Sequence, residues 1–461
     1  MFTRHLPHKP RPGRRPAQAA AAILLAANLA GCSYIPWFGG EKDPTPPTAL
    51  ANIVPEVTAT TLWSTTLTKG SEDRRLALVP AIGGGRVYVA DARGKVVAAN
   101  ANTGRVLWEQ NTKLPLSAGP ELTGDHLILA TNNGLVIALS TADGKEQWRA
   151  QVSGEVLAVP RSTGDGKVIV HTLDDTIFGL DEAKGTELWR ATYPAPILTL
   201  RGSSTPVIVP NGVIVGLAGG KLVKLDTTDG APLWEVIITA PSGRSELARI
   251  ADIDADPVVV GRVVLVGTYN GDLAAVDLEG GTVQWRRKLS SHAGLAATET
   301  SLFITDSQDL VWGADPVSGA ARWKQERLRY RQLTAPTLTG NLIAVGDLEG
   351  WLHLIAQTDG RLVGRTRIAK HAITTRPILA GGRLYVYATD GTLAALTTGT
   401  APGGAARGGS AQAAAAGNLD LVDQPLPTPR AAPTVPVTTP QTATPDSPTA
   451  TPPATPTQPR P

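Results

Sequence analysis

The chain has 461 residues and a formal net charge of +3, which is close to neutral for this length. The sequence has no stripe of basic residues that would indicate nucleic-acid binding, so we expect no nucleic-acid partner. The single cysteine, Cys32, excludes an internal disulfide bond and a thiolate metal cluster within one chain. Tryptophan outnumbers phenylalanine by ten to four, so the positions of the tryptophans need an explanation.

The N-terminus has the pattern of an exported lipoprotein. Residues 1–16 carry five basic side chains and no acidic one, and an apolar run of 14 residues follows from Ala17 to Ala30. That run is too short for a stable membrane span and is typical of a signal-peptide core. The tetrapeptide Leu29-Ala30-Gly31-Cys32 resembles a bacterial lipobox. The pattern predicts a lipoprotein signal peptide over residues 1–31 and a lipid on Cys32.

The residue after Cys32 indicates which membrane the lipoprotein would reach. Ser33 is not acidic, which favours the outer membrane over retention at the inner membrane. Two alternatives stay open at this point. One is an ordinary signal peptide with an unmodified Cys32. The other is twin-arginine export through Arg14 and Arg15, although the residues that follow them fit that signal poorly.

A repeat of about 40 residues fills the middle of the chain. Its first copy begins at Gly94, has a second glycine ten residues later at Gly104, and has Trp108 fourteen residues after its start. Five further copies keep both spacings, with start, glycine and tryptophan at Gly134, Gly144 and Trp148; Asp175, Gly185 and Trp189; Gly220, Gly230 and Trp234; Gly271, Gly281 and Trp285; and Asp309, Gly319 and Trp323.

The two ends of this array complete each other. The eighth copy begins at Gly391 and stops early, whereas Trp63 closes a copy that has no beginning. Within each copy, short runs alternate with a period of two and are separated by proline and Asp-Gly turns, which indicates four short strands. The sequence therefore predicts an all-β, eight-bladed β-propeller of four-stranded blades over residues 57–398. Its N-terminal strand closes the ring and so removes the free sheet edges.

The repeated tryptophan favours a structural role. Seven of the ten tryptophans occupy this one position, where a large flat side chain can pack between neighbouring blades. The seventh copy, from Gly350, has Gly364 there instead. We therefore expect a weaker seam at this copy unless Trp351 fills the gap.

The segments on either side of the ring differ from it in composition. Residues 32–56 are polar and contain proline, so the sequence predicts a lipidated tether from Cys32 to the ring. Residues 399–461 are rich in Ala, Gly, Pro and Thr. Such a segment buries too little apolar surface to offset its ordering entropy, and we expect a disordered tail.

Motifs for catalysis or for metal binding are missing from the sequence. No phosphate-binding loop and no zinc spacing occurs. Asp252, Asp254 and Asp256 imitate the start of a calcium loop, but Pro257 stands where that loop needs glycine, and Val263 stands where it needs glutamate. We therefore expect no cofactor and no metal.

An enzymatic alternative comes from the repeat itself, which resembles the repeat of the quinoprotein dehydrogenases. Those enzymes hold pyrroloquinoline quinone and calcium in an eight-bladed propeller. The chain is shorter than they are and lacks the adjacent cysteine pair that many of them use, since Cys32 is its only cysteine. A quinoprotein-type enzyme and a periplasmic ligand-binding propeller both stay open as alternatives to a binding scaffold.

Two neighbouring repeats are longer than the others. Successive copies start 40, 41, 45, 51, 38, 41 and 41 residues apart. The extra residues lie near 193–205 and near 239–256, each after a tryptophan strand and before the next blade, so both loops should emerge side by side on one face. The first loop contains Leu198, Leu200 and Arg201, and the second contains Asp252 and Asp254. Arg201 beside these leucines indicates an interface centre, because arginine is enriched at interface hot spots, but local packing and solvated acids would explain the same residues.

The same stretches resemble the outer-membrane protein assembly factor BamB family. The resemblance covers Cys32 to about Leu396 and includes residues 198–202, 252–260, 269–273 and 345–350. It implies a non-enzymatic scaffold lipoprotein of the Bam complex, anchored through Cys32 at the periplasmic face of the outer membrane. It also implies that Leu198, Leu200, Arg201, Asp252 and Asp254 support binding to a periplasmic POTRA domain of BamA. Whether unfolded outer-membrane proteins also contact the ring stays open.

Overall fold

The computed structural model describes residues 45–401. The predicted signal peptide, Cys32 and nearly all of the predicted tail therefore lie outside the described residues. Residues 45–401 form eight antiparallel sheets that follow one another along the chain. Seven sheets have four strands, and the second has a short fifth strand, Ala77–Leu78, which pairs in parallel with its first strand. The predicted all-β, eight-bladed propeller is confirmed.

The blades are numbered in chain order, and the fourth strand of each blade is the outer strand of its sheet and forms the outer rim. Their strands are: blade 1, Ala81–Gly83, Arg86–Ala90, Lys95–Asn100 and Val106–Asn111; blade 2, Leu116–Thr123, His126–Thr131, Leu135–Ser140 and Glu146–Gln151; blade 3, Arg161–Ser162, Lys167–His171, Thr176–Asp181 and Glu187–Thr192; blade 4, Val207–Val209, Gly212–Gly216, Lys221–Leu225 and Pro232–Ile237; blade 5, Val258–Val260, Val263–Gly267, Asp272–Asp277 and Val283–Lys288; blade 6, Gly294–Ala297, Leu302–Thr305, Val311–Ala314 and Ala321–Gln325; blade 7, Thr337–Thr339, Leu342–Gly346, Trp351–Ala356 and Leu362–Arg367; blade 8, Ile378–Ala380, Arg383–Tyr387, Thr392–Thr400 and Val57–Thr66. The only helical elements within residues 45–401 are two 3₁₀ turns, Ala218–Gly220 and Leu247–Arg249, and no helix there is long and apolar enough to cross a membrane.

Blade 8 combines the two ends of the ring. Val57–Thr66 pairs antiparallel with Thr392–Thr400, from Val57 opposite Thr400 to Thr66 opposite Thr392. The N-terminal strand thus supplies the fourth strand that the eighth repeat lacks, as predicted. The last strand runs to Thr400, two residues beyond the predicted boundary at 398.

The middle positions of the inner strands are mostly apolar because both faces of each blade are covered. In the strand Lys95–Asn100, Val96 and Ala98 pack towards blade 2, whereas Val97 and Ala99 pack towards blade 8. Successive side chains of a strand point to opposite faces. A strand buried on both faces therefore reads as a continuous apolar run, which is how these repeats look in sequence.

The repeated tryptophans contact the following blade at seven of the eight seams of the ring. Each of the seven indole N–H groups donates a hydrogen bond of 2.8–3.1 Å to a backbone carbonyl of the following blade. The ring lies against the repeated glycine of that blade, where a Cβ atom would come within 2.4–2.8 Å of the indole. These glycines also have positive φ angles of 67–75°, so the ten-residue glycine spacing has both a backbone and a packing cause.

The seam between blades 7 and 8 is built differently, because no tryptophan reaches it. A Cβ atom on Gly364 would lie 2.3 Å from the carbonyl oxygen of Val57. The backbone N–H of Glu56 donates to the Val363 carbonyl over 2.8 Å. Trp351 does not fill the gap, since its ring lies on the other face of the blade, next to the guanidinium groups of Arg365 and Arg367. Trp351 thus does not fill this gap, and the N-terminal segment occupies it instead. A weaker seam at this copy stays a prediction.

That segment also contacts the ring within residues 48–56, part of the predicted tether 32–56, which stays a prediction. Thr48 donates its backbone N–H to the Arg329 carbonyl over 3.1 Å and accepts a 2.9 Å hydrogen bond from the buried Arg331 side chain. Leu50 packs against the core between blades 6 and 7. Residues 48–56 are therefore fixed to the ring by backbone and side-chain contacts.

Candidate functional site

Two long loops stand side by side where the repeat spacing departs from its period. Residues 193–206 connect the fourth strand of blade 3 to the first strand of blade 4, and residues 238–257 connect the corresponding strands of blades 4 and 5. Because both run from a fourth to a first strand, they emerge on the same face of the ring. We call these two loops together the two-loop site.

Asp252 joins the two loops from below. One of its carboxylate oxygens accepts the backbone N–H of Leu200 at 2.6 Å, and the other accepts the N–H of Gly219 at 2.9 Å. The side chain is buried, with 2% of the residue exposed. Burial raises the pKa of Asp252, and the two N–H groups oppose that rise. The alternative of a solvated acid, which the sequence left open, is therefore wrong for Asp252, whose side chain holds the first loop.

The other two acids of this stretch also face the first loop. Asp256 accepts the backbone N–H of Thr205 at 2.7 Å. The Asp254 carboxyl group lies beside Gly202, where a Cβ atom would be only 2.9 Å from it. Burial, together with the neighbouring Asp252 carboxylate, raises the pKa of Asp254 to about 7. Asp256 is a contact of the first loop that was not predicted from the sequence, although its spacing of two from Asp254 is visible there.

A small cavity lies beneath the site. His171, Asp175, Leu200, Asp252 and Asp254 all line it. The His171 ring and the Asp175 carboxylate are buried 3.4 Å apart, and Asp175 also accepts the backbone N–H of Ala218. Three carboxyl groups thus converge where the two loops meet the ring. Within residues 45–401, no group of three or more His, Cys, Asp or Glu side chains is arranged to hold a metal ion.

The outer surface of the site is apolar with one arginine. Ile197 is fully exposed, Leu198 is 44% exposed and Leu247 is 66% exposed. The Arg201 side chain, 53% exposed, donates a 3.0 Å hydrogen bond to Glu155 in the preceding inter-blade loop. Leu200 is half-buried beneath them. The structure thus brings all five predicted residues together, but Leu198 and Arg201 reach the surface while Leu200 and Asp252 support them.

Comparison with known proteins identifies the family. The family profile described as outer membrane protein assembly factor BamB matches residues 52–114, 104–325 and 329–402, which together cover nearly the whole ring. The chain belongs to the BamB family. BamB of Alkalilimnicola ehrlichii is 44% identical over 386 residues, covering 84% of this chain and 97% of that protein. BamB of Pseudomonas aeruginosa is 39% identical over 378 residues, covering 82% of this chain and 98% of that protein.

Solved structures agree with this family and add its fold relatives. The crystal structure of BamB from Moraxella catarrhalis matches with a TM-score of 0.67 at 28% identity, covering 74% of this chain and all of that one. A quinohemoprotein alcohol dehydrogenase from Comamonas testosteroni matches with a TM-score of 0.58 at 14% identity, covering 74% of this chain and 76% of the enzyme. The second match shows that the two proteins share a propeller fold and nothing beyond it.

Proposed function

We propose that this chain is an assembly factor for outer-membrane proteins that works by binding and not by catalysis. Membership of the BamB family supports this role, because the family and its relatives carry that name. The two-loop site supports the mode of action. It presents apolar side chains and an arginine on a rigid scaffold, which suits a protein interface.

The partner we propose is a periplasmic POTRA domain of BamA. The observation that carries this assignment is the pair of loops linked by Asp252, with Leu198 and Arg201 at their surface. A preformed surface loses little conformational entropy on binding, so more of its contact energy appears as affinity. An arginine at the centre of such a patch is a typical hot spot.

Each residue of the site has its own part in this proposal. Leu198 contacts the partner directly, and Leu200 and Asp252 hold the loop that carries it. Arg201 now pairs with Glu155 at the solvent-exposed surface. Exposed ion pairs contribute only about 0–1 kcal/mol, so Arg201 can exchange this contact for one with the partner at little expense. Asp254 completes the support on the side of the second loop.

The anchor in this proposal is a lipid on Cys32 that holds the ring at the periplasmic face of the outer membrane. The support is the sequence Leu29-Ala30-Gly31-Cys32 after an apolar signal-peptide core. Mass spectrometry of the protein extracted from membranes tests it. An acylated N-terminal peptide beginning at Cys32 is the expected result, and an unmodified N-terminus would contradict it.

The binding proposal is tested by replacing Arg201 with alanine. Loss of a hot-spot arginine typically weakens binding by about 2 kcal/mol or more, which is roughly 30-fold in affinity. Arg149→Ala is the matched control. Arg149 is 56% exposed and pairs with Glu146 as Arg201 does with Glu155, but it lies on the rim of blade 2. Affinity for the periplasmic domains of BamA, measured by surface plasmon resonance, should fall only for Arg201→Ala. Equal affinities for the two variants would refute the assignment.

The absence of catalysis is part of the same proposal and has its own test. A quinoprotein-type enzyme would hold a quinone and calcium. The mature protein purified from membranes should show no quinone absorbance, and its melting temperature should not change when calcium is added. A bound quinone or stabilisation by calcium would overturn the scaffold assignment.

A further inference from the structure

Charge is distributed unevenly around the outer rim of the ring. The fourth strands of blades 5, 6 and 7 contain seven basic residues and no acidic one: Arg286, Arg287, Lys288, Arg322, Lys324, Arg365 and Arg367. The fourth strands of the other five blades contain two arginines and four glutamates: Arg149, Arg190, Glu109, Glu146, Glu187 and Glu235. We call the fourth strands of blades 5–7 the basic rim.

Acidic neighbours neutralise part of the basic rim, but not its blade 7 side. Lys288, Arg322 and Lys324 form ion pairs with nearby carboxylates. Arg365 and Arg367 instead lie near the Trp351 ring, 5.3 and 5.7 Å from its centre. Within residues 45–401 no carboxylate pairs with either arginine. Most of their N–H donors therefore remain available to an external anion.

The N-terminal segment leaves the ring within the same arc. Glu56 is bound to the fourth strand of blade 7, and Thr48 is bound to Arg329 and Arg331 in the loop between blades 6 and 7. Fifteen residues lie between Cys32 and Thr48. Even fully extended, they span at most about 55 Å. A lipid on Cys32 would therefore keep this side of the ring close to the membrane.

We propose that the basic rim binds the anionic phospholipid headgroups of the membrane that holds the anchor. This proposal rests on the lipid anchor of the proposed function. A guanidinium group matches the geometry of a phosphate and stays charged. An acyl anchor and a basic surface together hold a protein at a membrane more firmly than either alone. The two-loop site lies between blades 3 and 5, so the partner and the membrane would contact different sectors of the ring.

Vesicle binding by the non-acylated protein tests the surface without the anchor. The chain from Ser33 to Pro461 is secreted behind a conventional cleavable signal peptide and mixed with phosphatidylethanolamine vesicles, with or without a quarter of phosphatidylglycerol. Each basic residue near an anionic surface raises binding about fivefold. Arg365→Gln with Arg367→Gln should therefore lower co-sedimentation with the anionic vesicles roughly 30-fold.

The matched control is Arg149→Gln with Arg190→Gln, which removes two arginines from fourth strands outside the basic rim. It should bind vesicles as the unchanged protein does. Arg365→Lys with Arg367→Lys keeps the charge and should retain most of the binding. Thermal melting of each variant shows that the ring is intact.

Three results would overturn the proposal: no binding to anionic vesicles, equal binding to vesicles without phosphatidylglycerol, or equal loss in the control. Capture of an acidic protein by the basic rim without vesicle binding would also overturn it. The Arg365 and Arg367 variants should bind BamA normally. A failure of the BamA assignment would appear only with Arg201→Ala, so the two proposals fail separately.

Discussion

Asp252 offers the sharpest test of how the two-loop site is built. Replacing it with alanine leaves the backbone N–H groups of Leu200 and Gly219 without their 2.6 and 2.9 Å acceptor bonds. Hydrogen bonds to a charged group contribute about 1.5–3 kcal/mol each. Since Leu200 and Gly219 are only half-buried, we take the lower value for both. The conformation in which the first loop is bound to Asp252 then loses about 3 kcal/mol of stabilisation. Affinity for BamA should therefore fall by about 100-fold.

Hydrogen exchange separates this indirect effect from the loss of a direct contact. The Leu200 amide should exchange much faster in Asp252→Ala, whereas Arg201→Ala should lose affinity with unchanged exchange at Leu200. Asp252→Asn keeps one acceptor oxygen and should fall between the unchanged protein and Asp252→Ala in both measurements. The global melting temperature should change little, since the loops lie outside the sheets. Unchanged Leu200 exchange together with unchanged affinity in Asp252→Ala would refute this account.

Three further predictions concern the seams and the buried carboxyl group. Gly364→Ala places a Cβ atom 2.3 Å from the Val57 carbonyl, so the free energy of unfolding in urea should fall by roughly 1–3 kcal/mol. Trp189→Phe removes the 3.0 Å hydrogen bond to blade 4 and should lower the same quantity by about 1–2 kcal/mol. The raised pKa of Asp254, about 7, means that the folded protein binds a proton more tightly than the unfolded chain does. The free energy of unfolding should therefore fall as the pH rises from about 4 to 7, and Asp254→Asn should flatten that slope.

Each of these predictions has a result that would contradict it. Gly399→Ala is the control for Gly364→Ala, because a Cβ atom there meets nothing within 4 Å. Equal stability of the two variants would remove the argument for the N-terminal segment at the seam. If the Trp189→Phe protein is as stable as the unchanged protein, the indole hydrogen bond contributes nothing to stability. Identical pH profiles for Asp254→Asn and the unchanged protein would contradict the raised pKa.

The fold could be predicted from the sequence because the repeats share the same short spacings between start, glycine and tryptophan. The tryptophan and glycine positions recur at fixed distances since each indole packs on the glycine of the next blade. Trp63 without a preceding start predicted the closing strand, and the observed pairing of Val57–Thr66 with Thr392–Thr400 follows it. The exception was Gly364. Its neighbour Val57 lies more than 300 residues away in sequence, so no local pattern could reveal it.

The candidate site was found in sequence by its departure from the period, but its internal organisation was not. Insertions between blades are visible as longer spacings between repeats. These spacings predicted the location of both loops and their position on one face of the ring. The sequence could not show that Asp252 is buried while Arg201 is exposed. An acidic or a basic residue in a loop can be either buried or exposed, and the sequence alone does not distinguish the two.

The sequence by itself thus determined the number of blades, the closure of the ring and the location of the two loops. These features follow from hydrogen-bonded strands and inter-blade packing, whose residue pattern recurs along the chain. Only the tertiary structure decided the contacts of Leu200 with Asp252, of Arg201 with Glu155, and of Thr48 with Arg331. Those partners are 52, 46 and 283 residues apart. Such contacts depend on which side chains the closed ring brings together, and no spacing along the chain encodes them.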